Sequence, residues 1–204
     1  MRNRYAGGCS WCSVWIYAEG GFLCGDSESG WKIECATCHW LSETFSSGVD
    51  PDEFDWELPE PTGCAKSVRI RVLGLTRPCW KCGKATVCVC GMYPDRPARG
   101  YCGLFTTEDD NAMSTAARLL RSAGRTQIEA TIQQTRSKTA RATVLAVCCT
   151  RCGAMQGNFM VGEKALALVA GGGVEALDTL AVANCPAADW QYIVHHPLHS
   201  VIAI

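Results

Sequence analysis

The chain has 204 residues and a formal net charge of −1, with 48% hydrophobic and 19% charged residues. That balance describes a globular chain with a real core and excludes a disordered or collagen-like one. No apolar run reaches the roughly 20 residues that span a bilayer, and Met1-Arg2-Asn3-Arg4 leads into Gly7-Gly8-Cys9 rather than an apolar export segment, so no membrane partner and a cytoplasmic location are expected.

In chain order, the first segment runs from Cys9 to about Ser47. Residues 13–18 are aromatic and β-branched and predict a strand, continued by Phe22-Leu23-Cys24 past Gly20-Gly21. Residues 25–30 have turn composition, and residues 31–34 alternate apolar and polar into Cys35. Pair, hairpin, pair is the order of a zinc ribbon. Residues 49–66 carry Pro51, Pro59 and Pro61 among acids and read as a linker anchored by Phe54, Trp56 and Leu58.

Residues 68–72 and 85–90 predict strands, and 93–101 a loop. A helix is expected over 108–122: acids fill its first turn, Arg118 and Arg121 its last, and Gly124 follows. Met113, Ala116, Ala117 and Leu120 give it an apolar face. Residues 127–134 are read as a strand paired with 142–147 through a turn at 135–139. Beyond Cys152 the chain is Ala-rich; 163–170 and 174–183 predict helices split by three glycines, and 190–204 a terminal strand. The expected class is α+β, with small antiparallel β units organised by two four-cysteine zinc sites. Its parts would be a zinc ribbon (1–48), an acidic linker (49–66) and a second zinc-binding domain (67–204) with a long insertion and a helical C-terminal part.

Fifteen cysteines need an explanation. A reducing cytosol disfavours disulfides, and the spacing points to metal. Cys9-Ser10-Trp11-Cys12 and Cys35-Ala36-Thr37-Cys38 are separated by 22 residues, which suits a hairpin returning the second pair to the first. Structural zinc takes four tetrahedral ligands, often all thiolates; iron is the alternative that spacing does not separate. Cys79-Trp80-Lys81-Cys82 and Cys149-Thr150-Arg151-Cys152 form a second set across a gap of 66 residues. Gly83 and Gly153 follow these pairs, where a residue at positive φ is expected. Cys148 can replace Cys149, but only Cys149 gives the two-residue spacing. Two zinc ions per chain are therefore expected.

Pro78-Cys79-Trp80-Lys81-Cys82-Gly83, together with Cys149-Thr150-Arg151-Cys152-Gly153-Ala154-Met155-Gln156-Gly157-Asn158-Phe159, resembles a group of largely uncharacterised bacterial zinc-ribbon proteins, over about residues 69–163. The resemblance implies zinc at Cys79, Cys82, Cys149 and Cys152 and little about activity. Cys88 and Cys90 depart from it, standing where aliphatic strand residues are expected.

Cys88, Cys90 and Cys102 are a conceivable third set, although two thiols at i and i+2 also serve as small buried hydrophobes. Cys185 with His195, His196 and His199 is weighed as a metal or catalytic cluster against plain terminal polar residues. His39, beside Cys38, finds no vacancy in a complete four-cysteine set. Pro78-Cys79-x-x-Cys82 matches half of a zinc deaminase signature, but no His-x-Glu or Cys-x-Glu accompanies it. No nucleophile elbow, phosphate loop or His-Glu-x-x-His is present either, so the reading leans away from an enzyme.

The charge is segregated. Residues 43–60 hold seven acids and no base, while residues 66–141 hold fourteen Lys or Arg against five acids. Arg69, Arg71, Lys81, Lys84, Arg118, Arg121, Arg125, Arg136, Lys138 and Arg141 are candidate nucleic-acid contacts, with Trp80 among them for stacking. A sequence pI near 6.4 weighs against this. A protein-interaction adaptor with purely structural zinc is the alternative, and an enzyme with an unrecognised site the second.

Overall fold

The structure, a computed structural model, describes residues 1–50, 54, 58, 62–99, 101, 103–196 and 201–204. Its elements in chain order are β1 (Gly7–Gly8), β2 (Trp15–Ile16), β3 (Gly21–Cys24), β4 (Lys32–Cys35), α1 (Ala36–Ser46), β5 (Ser67–Pro78), β6 (Ala85–Pro94), β7 (Gly103–Thr106), α2 (Asp110–Ser122), α3 (Thr126–Glu129), β8 (Ile132–Arg136), β9 (Thr143–Val147), α4 (Asn158–Gly172), β10 (Asp178–Pro186), α5 (Ala187–His195) and β11 (Val201–Ala203). The α+β class expected from the sequence holds. None of the helices among the described residues is long and apolar enough to cross a membrane.

Cα packing divides the chain into two compact units. The first joins Met1–Arg69, Pro94–Tyr101 and Asn184–Pro197; the second joins Ile70–Tyr93, Cys102–Ala183 and Leu198–Ile204.

In the first unit β1 pairs antiparallel with β2, and β3 pairs antiparallel with β4 in the register Phe22↔Glu34 and Cys24↔Lys32. β4 runs directly into α1, whose N-cap is Cys35: its thiol accepts the Cys38 N–H at 3.4 Å. The second cysteine pair therefore opens a helix rather than a loop. Val14, Ile16, Leu41, Trp190 and Ile193 are buried in this unit. Phe54, expected to anchor the linker, meets the rings of Trp40 and Phe45 at 5.6 and 5.3 Å. Trp56 and most of the linker acids lie outside the described residues.

The second unit is built on a five-stranded sheet in the order β10-β5-β6-β7-β11. β5 begins with alternating burial at Val68, Ile70 and Val72 and then buries every residue from Val72 to Leu75. β6 is buried without a break from Cys88 to Pro94. Such runs mark strands covered on both faces, and Gly74 shows how tightly: a Cβ there would collide with the Leu180 side chain and come within 2.7 Å of the Cys88 carbonyl oxygen. β8 and β9 form a separate hairpin. α2 is capped by Asp109, whose carboxylate accepts the Asn111 and Ala112 N–H groups at 2.9 Å. Met113, Ala116, Leu119 and Leu120 form its buried face, with Ala117 only half-buried.

Four expectations are corrected. The strand expected over 13–18 shrinks to Trp15–Ile16, because a turn and a positive φ at Ser13 precede it. Residues 127–134 divide into α3 and the start of β8, and the turn moves to 137–142. Residues 174–183, expected helical, form a short 3₁₀ turn at Val174–Ala176 and then β10. Residues 190–204, expected as a strand, begin within α5, and among their described residues Val201–Ala203 alone forms a strand, β11.

Candidate metal centres

Each cysteine pair is set by the geometry of its turn. In three of the four, the first cysteine's N–H donates to the carbonyl five residues on and its carbonyl accepts from the N–H four residues on. These bonds are Cys9–Val14 and Ser13–Cys9, Cys79–Lys84 and Gly83–Cys79, and Cys149–Ala154 and Gly153–Cys149, all 2.8–3.0 Å. The fourth residue has φ of +57° at Ser13, +71° at Gly83 and +67° at Gly153. The glycines expected at that place do supply the positive φ. The fourth pair, Cys35 and Cys38, uses the first turn of α1 instead.

The pairs converge. Cys9, Cys12, Cys35 and Cys38 place their Sγ atoms within 4.8 Å of one another, and so do Cys79, Cys82, Cys149 and Cys152. Cys12–Cys35 is 3.9 Å, and Cys79–Cys152 and Cys82–Cys149 are both 3.7 Å. A tetrahedral ion with zinc–sulfur bonds of about 2.3 Å sets its ligands about 3.8 Å apart. A disulfide would need about 2.05 Å, and these cysteines are free. Both sets can hold a metal ion, and in both all four ligand places are sulfur.

The electrostatics favour thiolate at selected positions. A hydrogen bond from the Cys12 thiol, joined by those of Cys35 and Cys38, holds Cys9 well below the usual thiol range, while burial pushes Cys12 and Cys38 up. Four such sulfurs enclosed together cannot all ionise without a cation to neutralise them. In the second set the backbone N–H groups of Arg151 and Cys152 bring Cys149 down to about 6. Burial opposes ionisation of Cys79, but the Cys82 and Lys81 N–H groups and the Gln156 amide outweigh it and lower its pKa.

Side chains far away in the sequence complete each centre. Gln191 on α5 donates its Nε2–H to Cys35 Sγ at 3.1 Å, and Trp190 donates its indole N–H to the Cys12 carbonyl at 2.8 Å. His195 Nε2 lies 3.1 Å from Cys38 Sγ. In the second centre Gln156 Nε2 donates to Cys79 Sγ at 3.4 Å. Sequence reading did not assign Gln191, Trp190 or Gln156 to a site. It weighed His195 with Cys185, His196 and His199; the structure puts His195 on a cysteine of the first centre, and His199 lies outside the described residues.

Cys88 and Cys90 are buried strand residues of β6, where burial pushes their thiols up to about 11 and about 12. They join no metal-holding group among the described residues, and Cys102 lies outside them.

The cationic residues scatter. Arg69 pairs with Asp95 at 3.2 Å, Arg71 with Glu175 at 2.9 Å, and Arg121 with Glu129. Arg118 bonds the Thr115 hydroxyl at 3.1 Å. Lys81 and Lys84 are exposed beside Trp80 in the Cys79 turn, and Trp80 is 68% exposed. Arg136, Lys138 and Arg141 are exposed together at the β8–β9 tip, and Arg125 stands exposed at the N-cap of α3.

Comparison with protein-family models, curated proteins and solved structures returned no match. What bears on the expected resemblance to zinc-ribbon proteins is the pair of four-cysteine groups.

Proposed function

We propose that the chain is a zinc-dependent binding module whose two four-cysteine centres are structural, one zinc in each. The observation that carries this reading is the tetrahedral sulfur spacing in both sets, 3.9 Å in one and 3.7 Å in the other. Four thiolates fill the coordination of zinc and leave these two ions no place for a substrate. Elemental analysis tests it: about two zinc per chain are expected after purification without added metal, and Cys12→Ser and Cys152→Ser should each remove one. Iron instead of zinc, no metal, or a ratio unchanged by both substitutions overturns it.

The partner reading is nucleic acid, bound through the β8–β9 tip. It is supported by Arg136, Lys138 and Arg141 standing exposed within six residues that contain no acid. Replacing all three with alanine should lower the salt dependence of binding to random single- or double-stranded DNA or RNA, by roughly 2–3 in the log–log slope. Affinity indifferent to salt, or to the triple substitution, overturns it. A protein partner is the second reading, favoured by the outer face of α4, where Phe159 is 65% exposed and Met160 and Leu166 are also exposed. Only that reading predicts binding that survives high salt.

A further inference from the structure

Among the described residues, one group of metal-ligating side chains outside the two four-cysteine sets stands at the β3–β4 hairpin. β3 and β4 alternate faces, so Phe22 and Cys24 lie on the same side of the hairpin as Lys32 and Glu34, with Cys24 diagonal to Glu34 in the register. α1 follows at once and brings His39 onto that side, its ring stacked on Phe22 with centroids 4.1 Å apart. The three potential ligand atoms meet: Cys24 Sγ–His39 Nδ1 is 3.6 Å, Cys24 Sγ–Glu34 Oε2 is 3.4 Å, and His39 Nδ1–Glu34 Oε2 is 3.1 Å.

We propose that Cys24, Glu34 and His39 form a third metal site, taking a divalent transition cation of the zinc class and keeping one coordination position open to an exchangeable ligand. The distances fit such an ion. Tetrahedral bonds of about 2.3 Å to sulfur and about 2.0–2.1 Å to nitrogen and oxygen separate S from N or O by about 3.5 Å, and N from O by about 3.3 Å. Each observed separation is within about 0.2 Å of these values. The same three groups also stand at hydrogen-bond distance of one another, and a count of bound ions separates a thiol-centred hydrogen-bond cluster from a metal site.

The surroundings are those of a supported site. Glu34 uses Oε2 toward the triangle, while its Oε1 accepts the Trp11 indole N–H at 3.0 Å. His39 turns Nδ1 inward, and its Nε2 lies 3.4 Å from Glu43 Oε1, one helical turn on. A carboxylate on the far ring nitrogen fixes the tautomer and the orientation of a ligating imidazole. The Glu34 and His39 side chains are 11% and 22% exposed, so the triangle is largely shielded from water. Three mixed protein donors with a free fourth position differ in kind from four thiolates: such a site can exchange its ion and can accept an anionic or neutral donor from outside. Glu34 and His39 each adjoin a cysteine of the first centre in sequence, so the fold that builds that centre also places two ligands of this one.

Counting ions on the full-length protein by native mass spectrometry tests the proposal. The chain is first dialysed against a weak chelator and then titrated with Zn²⁺ or Co²⁺. The expected result is a baseline of two retained ions and a third bound during the titration. Cys24→Ser and His39→Asn should abolish the third ion and keep the baseline. Glu43→Gln, outside the ligand set, should weaken the third ion by roughly 10–100-fold and serves where a ligand variant does not fold. No third ion, or a third ion indifferent to Cys24→Ser and His39→Asn, overturns the proposal. A missing baseline of two is a separate result, which would sink the reading of the four-cysteine centres.

Discussion

Gln191 and Gln156 perform one task in two places. Each points an amide N–H at a cysteine sulfur, at 3.1 Å on Cys35 and 3.4 Å on Cys79, and each is buried. A neutral donor to a thiolate removes part of its excess charge, and loss of such a partner typically lowers metal affinity 10–100-fold. Gln191→Leu should therefore weaken metal binding in the first centre by that factor and spare the second, and Gln156→Leu should do the reverse. Chelator competition reads both; unchanged affinity would mean that the amides only fill space. The turns make a second argument at this scale. A Cβ at Gly83 or Gly153 would meet nothing within 4 Å, so the cost of alanine there is purely that of positive φ, about 1 kcal/mol. Denaturant unfolding should show that loss for Gly83→Ala, and no loss would mean the turn relaxes. Ser13 already tolerates φ of +57°, and its Oγ accepts the Ala98 N–H at 3.0 Å in compensation.

At the scale of elements, β6 shows how a cysteine-rich strand can be wholly structural. Cys88 and Cys90 sit where aliphatic residues would, buried, with thiols pushed toward the neutral form. Valine at either position should cost less than about 1.5 kcal/mol and leave the metal content unchanged; a lost ion would return these thiols to a site. The elements most legible in the sequence are those with local causes. Asp109 and the apolar spacing of Met113, Ala116 and Leu120 announce α2, and the alternation at Val68, Ile70 and Val72 announces β5. β10 was misread because Val174, Leu177, Leu180 and Ala181 also fit a helical face. What makes it a strand is a neighbour in β5, where Gly74 leaves room for the Leu180 side chain. Nothing within residues 174–183 encodes that vacancy. Residues 190–204 read as a strand for a similar reason: they are apolar, and the burial of Trp190, Gln191 and Ile193 that marks α5 is fixed by what they pack on.

For the whole molecule, chain order and compactness part company, since the first unit is assembled from three separate stretches. All eight cysteines of the two sets were legible, because two-residue spacing is a local property. The groups that complete the first centre were not: Gln191 lies 156 residues from Cys35 and His195 157 residues from Cys38, and no spacing rule reaches that far. If the first centre holds the proposed metal, these contacts tie α5 to it as well as the hairpin. Structural zinc in small domains contributes on the order of 10 kcal/mol, more than a nine-residue helix can supply for itself. Cys12→Ser should therefore release the amides of α5 to hydrogen exchange together with those of β3 and β4, while β5 and β6 between Ile70 and Tyr93 keep their protection. Cys152→Ser should leave the protection of α5 intact. If α5 stays protected when the first centre is broken, the helix is held by its apolar contacts alone, and the bonds from Gln191 and Trp190 follow its position rather than fix it.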